Sequence, residues 1–475
     1  SIAVLPFVNM SGDADNEYFA DGLTEELLNL LADIDGLRVP SRTSSFAFKG
    51  QNRPIREIAD ELDVKHVLEG SVRKAGNQVR VTAQLIDVAS DAHLWSDTYD
   101  RELEDIFAIQ DDISGQIVSA LQLTLAGGLA ERNAPTQNMQ AHELYLQGLY
   151  GFRNRGGGGS LMPAVEQLEQ AVALDPEFAE AVEALAMLYL VLPGYQDPEE
   201  RAALDAEQAL ARALFHAERA LELDPGRVDA RAVQALATSM TDPLRALALF
   251  DALVTEHPDS SSGRLWYAIE LMKWGYLEAA RPQMVAALRV DPASAINHDH
   301  MAKVLVMLGE DELAAVHAQR AYTLGRIGAL GLIANMALED GDMDRALEIL
   351  DQKERGQPLE VKAVRFLASD QAGDPEARAR MIRELEADPD GEARHPRSLP
   401  FFWLQAPDPF FDRLSLDAEE NVGYVLDFLW YPHSRPLRRD PRFQAFARDQ
   451  GMLELWREHG WPDLCRPQGD GFSCE

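Results

Sequence analysis

Along the middle of this chain a proline-marked stop recurs at near-constant spacing, and that recurrence limits the fold more than any other feature. DP or HP pairs end apolar helical runs at Pro176, Pro225, Pro258 and Pro292. The last two intervals are 33 and 34 residues; the first is 49, and an insertion around PGYQDPEERAALD (193–205) accounts for the excess. Further steps reach Arg326, where the proline is missing, then Pro358 and Pro389. Twelve residues before each mark stand Ala164, Ala213, Ala246, Ala280, Ala314, Ala346 and Ala377, all alanine. Four residues further on are Leu168, Ala217, Phe250, Met284, Ala318, Leu350 and Met381, all apolar. Residues four apart share a helix face, and two helices cross closely only where a side chain is small. The pattern therefore predicts repeated helical pairs, each burying its apolar face by stacking on its neighbours.

This register resembles the tetratricopeptide (TPR) repeat. About seven units fill residues 139–390, the later ones degenerate, since Lys353 and Glu384 occupy what is a small apolar position in earlier units. The resemblance implies a right-handed superhelix whose groove is lined by the first helix of each unit. It places groove contacts at first-helix positions that include Met272, Lys273, Asp299, Lys303 and Asn335. Taken singly, each of these also reads as an ordinary solvated helix residue. The groove is expected to take a peptide or a partner helix.

Before the repeats the periodicity differs. IAVLPF is a short, proline-interrupted strand candidate. EYFADGLTEELLNLLADIDG follows with Leu23, Leu27, Leu30, Leu31 and Ile34 on one stripe and Gly36 as a stop. LRVPSR reads as a second strand, and PIREIADELDV as a helix with Ile55, Ile58 and Leu62 inward. HVLEGSVRKAGNQVRVTAQLIDV carries a Gly76-Asn77 turn between two alternating runs, a strong hairpin signal. HLWSDTYD adds a strand and LEDIFAIQDDISGQIVSALQLTL a long amphipathic helix, giving an α/β layer with helices on a small mixed sheet. SIAVLPFVNMSGD, EYFADGLTEELLNLL, SRTSSFAFKG, VLEGSVRKAGNQVRVTAQLIDV and HLWSDTYDRELEDIFAIQDDI resemble the TolB-like amino-terminal domain of bacterial multidomain regulators. That resemblance implies a non-catalytic module. In the family it follows a winged-helix DNA-binding domain or an adenylate cyclase domain, with a membrane helix between, and TPR repeats come after it.

The expected organisation is an α+β multidomain chain: a TolB-like α/β domain at 1–125, a linker at 126–138, the TPR superhelix at 139–390 and a helical cap at 391–475. The last segment keeps helical patterning but not the repeat. Its aromatic clusters PFFWL, PFF and VGYVLDFLWYPH are expected to cap the open face of the solenoid, with a ligand pocket as the alternative. Its tail, DPRF…GWPDLC, resembles the ending common on chains of this layout. The chain owns only two cysteines, Cys465 and Cys474. Pro467, Gly469 and Gly471 lie between them, so the segment can bend back to a disulfide, two free thiols being the alternative.

Composition narrows the function classes. Lys and Arg number 44 against 79 Asp and Glu, a formal charge of −35. Such a surface repels phosphate backbones and anionic lipid, so nucleic acid is not expected as a partner of this segment. No apolar run is long enough to span a bilayer. Ser1 opening directly into a strand suggests a trimmed chain, reaching the membrane only through an upstream anchor. His298 and His300 stand two apart on a predicted helix, facing different ways, so no metal is expected. RGGGGS (155–160) lacks the GK[ST] of a phosphate loop and reads as a flexible connection. RPLRRDPR (435–442) reads as a helix-terminal salt-bridge patch. No catalytic constellation or cofactor motif stands out. The expectation is a non-enzymatic sensory or interaction module, periplasmic if the disulfide forms and cytoplasmic otherwise. Its partner would be a protein, peptide or small ligand, with a homodimer open; the alternative is a constitutive TPR scaffold.

Overall fold

The computed structural model describes residues 1–32, 34, 36–120, 135–154, 160–195, 200, 204–351, 358–388, 397–419 and 425–475. The 126–134 part of the expected linker, the glycine run at 156–159, most of the 193–205 insertion, Lys353 and Pro389 lie outside the described residues. The chain divides into two compact units. Unit 1 is Ser1–Leu188 with Glu222–Pro225 and Val290–Ser294; unit 2 is Tyr189–Leu221, Gly226–Arg289 and Ala295–Glu475.

Unit 1 opens with a five-stranded mixed sheet. β1 (Ile2–Val4) and β2 (Val8–Asn9) both run parallel to β3 (His66–Ala75), which pairs antiparallel with β4 (Gln78–Asp87), and β4 with β5 (Ala92–Glu102). Pro6 lies between β1 and β2; lacking an N–H, it cannot extend the ladder. Ala75 pairs with Gln78 across the two-residue turn, where Gly76 takes φ +60°, as the twist of a tight hairpin requires. One sheet face, with Leu68, Val72, Val81, Ala83 and Leu85, is buried against α1 (Glu17–Ala32) and α4 (Ile106–Ala120). LRVPSR is not a strand. From the sheet, the Ile2 N–H reaches it, donating to the Arg38 carbonyl at 3.0 Å. Pro40 offers no N–H, and Ser41 instead caps the short helix α2 (Arg42–Phe46) by accepting from the Ser44 N–H. α3 (Ile55–Leu62) buries Ile58 and Leu62, with Ile55 at its half-buried start.

The first helical pair, α5 (Met139–Arg153) and α6 (Met162–Leu174), also belongs to unit 1, as does most of α7 (Ala179–Val191). Asn138 caps α5, accepting from the N–H groups of Gln140 and Ala141.

Unit 2 continues the pairs. α8 (Ala206–Leu223) is followed by α9 (Val228–Ser239) with α10 (Pro243–Glu256) and α11 (Ser261–Lys273) with α12 (Leu277–Val290). α13 (Ala295–Met307) pairs with α14 (Asp311–Thr323), α15 (Ala329–Glu339) with α16 (Met343–Asp351), and α17 (Pro358–Leu367) with α18 (Pro375–Glu386). All seven register alanines lie on the second helix of a pair, and none is more than 3% exposed. Leu168, Ala217, Phe250, Met284, Ala318 and Leu350 are buried beside them; Met381, in the last pair, is only partly so.

The C-terminal part of unit 2 holds α19 (Leu399–Trp403), α20 (Pro407–Glu419), a 3-10 turn at Val425–Leu429, α21 (Arg435–Arg439), α22 (Pro441–Asp449) and α23 (Met452–His459). α19 packs on α17, the first helix of the last pair. The aromatic clusters are core: Phe402, Phe410, Trp430, Phe443, Trp456 and Phe472 share one continuous cluster with the helices of the repeats. The cap is not wholly helical. It closes in a hairpin of β6 (Cys465–Gln468) and β7 (Gly471–Cys474), where Cys465 and Cys474 stand opposite each other, Cα atoms 4.1 Å apart, and are disulfide-bonded. The basic run is a salt-bridge patch only in part. Arg442 pairs with Asp408 at 2.7 Å and Asp412 at 3.4 Å. Arg438 is buried and donates to the carbonyls of Leu429 (2.6 Å), Tyr431 (2.9 Å) and Glu475 (3.0 Å), clamping the turn before it. Among the described residues no helix is long and apolar enough to cross a membrane.

Candidate functional site

The first helices α11, α13 and α15 carry the five expected groove positions, and the chain's own segment 425–434 lies against them. Ser260 starts α11 by accepting from the Gly263 N–H at 3.0 Å. At its other end Met272 is fully buried, in the core that also holds Val425, Leu426, Leu429 and Trp430, so it has no free face for a ligand. The Lys273 ammonium lies over the Trp274 ring (4.7 Å) and donates to Ser239 Oγ at 3.0 Å. The Lys273 carbonyl, one of the acceptors a helix C-terminus leaves unpaired, takes the Trp430 indole N–H at 3.2 Å. Glu270, also buried, accepts from the Ser239 hydroxyl and from the Trp274 indole N–H at 2.5 Å.

On α13, Asp299 is 2% exposed. Burial works to raise its pKa, but Lys303, His300 and Arg326 outweigh it and hold the carboxyl at about 2. The Lys303 ammonium is 3.4 Å from Asp299 Oδ2 and Arg326 Nε is 3.5 Å from it. His300 is fully buried; desolvation, with Lys303 adding to it, lowers its pKa to about 3, so the ring is neutral. On α15 the Asn335 Oδ1 is buried without a hydrogen-bond partner among the described residues. Glu339, at the end of that helix, meets His433 Nδ1 at 3.6 Å.

Asp427, from the covering segment, is the least satisfied group here. Burial pushes its carboxyl up to about 7; Lys303 and Lys273 pull it down, and Glu270 opposes them. Neither carboxyl oxygen has a hydrogen-bond partner among the described residues. The Tyr431 hydroxyl is likewise raised, by burial first and then by Asp427 and Asp299. Lys273, Asp299 and Lys303 are thus brought together under the cap, Met272 is core, and Asn335 lies on the third helix. Sequence reasoning missed Asp427, Trp430, Glu270 and Arg326. The lone acid inside VGYVLDFLWYPH was a usable signal, because such a run is buried and takes its carboxylate with it. Beside Lys273 opens a cleft of about 450 Å³, lined by Ser239, Trp274, Leu426, Asp449 and Glu454 among others. The two histidines of HDH separate as their spacing requires: His300 is buried, whereas His298 Nδ1 meets His317 Nδ1 at 2.8 Å. Among the described residues no three His, Cys, Asp or Glu side chains gather as metal ligands.

A second polar cluster lies inside unit 1, where α5 packs on α1. Glu25 bridges Arg42 Nε (2.6 Å) and Arg153 Nη2 (3.0 Å). Burial acts to raise its pKa, but the two guanidinium groups lower it. Next to it Glu26 Oε1 is 2.6 Å from the buried His142 Nε2, and Gln110 donates to the other Glu26 oxygen. Gly22 lies so close to Leu146 that a Cβ would fall 2.6 Å from Leu146 Cδ2.

Residues 1–116 match the second domain of HilA/YgeH-like transcriptional regulators. Over 192 residues the chain is 43% identical to putative adenylate cyclase 3 of Rhizobium meliloti (strain 1021), a stretch covering 40% of this chain and 32% of that protein. The chain therefore spans about a third of the length of this curated relative. Among solved structures it is similar to the thermophilic TPR protein TTC0263 of Thermus thermophilus (22% identity, 42% of this chain and 99% of that chain, TM-score 0.30). It is also similar to PilF of Pseudomonas aeruginosa (19%, 46% and 92%, TM-score 0.32). A third likeness is to YrrB, a TPR protein with an unusual peptide-binding site (17%, 41% and 93%, TM-score 0.23).

Proposed function

We propose that this chain is a non-enzymatic protein-interaction module of a bacterial signalling or transcriptional regulator. In this reading a TolB-like domain at 1–125 and a linker at 126–138 precede repeats at 139–390 and a cap at 391–475. The observation that carries it is the joining, in one chain, of a regulator-type domain over 1–116 to successive helical pairs in a constant register. The module is sensory: a peptide, protein or small ligand engages the first-helix face of the repeats or the 125–150 region. The response passes to an output domain through a membrane anchor, with self-association of two copies as the means. The partial likeness to a putative adenylate cyclase supports an output of that kind. The Cys465–Cys474 bond supports a periplasmic site, and a charge of −35 favours a protein partner over nucleic acid. A constitutive scaffold is the second reading, favoured by the sealing of Met272 and its neighbours beneath the chain's own cap.

The test is a photo-cross-linking scan in cells, with a benzophenone amino acid at half-buried Lys303 and Asn335 and at exposed Phe215, Leu244, Val285 and Val316. One discrete protein adduct shared by neighbouring positions is expected. No adduct at any position, or unrelated adducts at all of them, refutes the interaction reading.

A further inference from the structure

We infer that the first-helix face of α11, α13 and α15 is a receptor surface for a short aromatic segment, and that the chain's own residues 425–434 occupy it in competition with any partner. This rests on the interaction reading above and assigns its site an occupant and a partner chemistry.

The first support is placement. A solenoid needs cover over its last repeat, and α19 supplies that by packing on α17. Segment 425–434, packed on Phe402 of α19 and on Gln405 just beyond it, reaches further. It turns back along the array, to the end of α11 through Trp430 and to the end of α15 through His433. The second support is the manner of contact. Trp430 docks as a ligand residue does, its indole N–H on a helix-end carbonyl and its ring against Gly275, where a Cβ would come within 2.8 Å. Gly275 holds φ +86°, which favours glycine and keeps the ring's seat open. The third support is imperfect fit. Both Asp427 oxygens, Asp299 Oδ1 and Asn335 Oδ1 are buried without hydrogen-bond partners among the described residues. A segment belonging irrevocably to the core would leave fewer orphans; a competing one that reproduced the indole, carried no buried carboxylate and satisfied Asp299 Oδ1 and Asn335 Oδ1 would bind better. The partner is therefore a segment with an indole and a phenol spaced as Trp430 and Tyr431, bearing amide or hydroxyl donors at the place of Asp427.

Amide hydrogen exchange on the purified chain, with no partner added, tests the occupancy. Residues 425–440 are expected to exchange at least tenfold faster than α11 and α13, through an opening that leaves those helices protected. Exchange of all three at one rate overturns the inference. Two variants act oppositely on that opening: Trp430→Ala accelerates it, and Asp427→Asn slows it at pH 8. A labelled synthetic peptide, VLDFLWYPHSRPLRRD (425–440), is then expected to bind the Trp430→Ala chain at least tenfold tighter than the wild type. A Trp430→Ala chain with freely exchanging 425–440 that ignores the peptide refutes the inference. Should that variant lose its helical signal, exchange in wild type and Asp427→Asn decides alone. These readouts need no cellular partner, so a failed cross-linking scan would leave them standing.

Discussion

Asp427→Asn should stabilise unit 2, and by more the higher the pH. Asp427 is buried, with neither oxygen hydrogen-bonded among the described residues, and its folded-state pKa is about 7 against an ordinary 3.8. Because the folded value is raised, the unfolded chain releases this proton first, and the folded state loses stability as pH climbs from the unfolded pKa to the folded one. At 1.36 kcal/mol per unit, the penalty is roughly 1–2 kcal/mol at pH 5 and about 4 kcal/mol at pH 8, where it has levelled off. Between those pH values the wild type should therefore lose on the order of 3 kcal/mol from this group alone, and the asparagine variant should not. Urea unfolding followed by tryptophan fluorescence reads this, since six of the seven tryptophans belong to unit 2. If Asp427→Asn destabilises at pH 8, or both proteins share one pH profile, the carboxylate is held by Lys303 and Lys273 as a true ion pair and the reasoning fails.

Other perturbations probe different parts. Glu25→Ala leaves Arg42 and Arg153 without their shared carboxylate, and should cost about 3–5 kcal/mol in thermal or urea unfolding of unit 1. An unchanged unfolding midpoint would mean the guanidinium groups find water. Ala280→Leu overfills a fully buried position on α12 and should destabilise by about 1–3 kcal/mol, checked by the loss of helical signal in urea. Reducing the Cys465–Cys474 bond should destabilise the hairpin and the cap it closes by about 2–3 kcal/mol. Alkylation of protein taken from its native compartment should label both cysteines only after reduction, and labelling without reduction would sink the periplasmic assignment.

Much of the fold was legible because it is written in local periods. The alanine register located every second helix of the repeats, since a crossing that admits only a small side chain leaves its mark at one fixed offset. Gly76-Asn77 announced the hairpin because few other pairs tolerate that turn. LRVPSR was misread because its apolar residues suit a strand, whereas Pro40 and the Ser41 cap, both local and visible, send the backbone elsewhere. The candidate site was far less legible. Positions such as Lys273 and Asp299 could be named from the register, but not what covers them. Trp430 lies 157 positions from the carbonyl it binds, and no period in either segment specifies that meeting. The sequence places Arg438 in a salt-bridge patch for the same reason: three backbone carbonyls, which carry no sequence signature, take its donors.

The packing of α5 on α1 bears on how a chain like this can be cut and recombined. Composition invites a cut near residue 138, between an α/β domain and its repeats, yet the first repeat folds within the same compact unit as that domain. A fragment starting at 139 would strip His142 and Arg153 of their carboxylates and bare Leu146 where Gly22 had covered it. The portable piece is then the α/β domain together with its first helical pair and the part of α7 packed on it, and the natural place to lengthen, shorten or exchange the array in evolution lies beyond that helix.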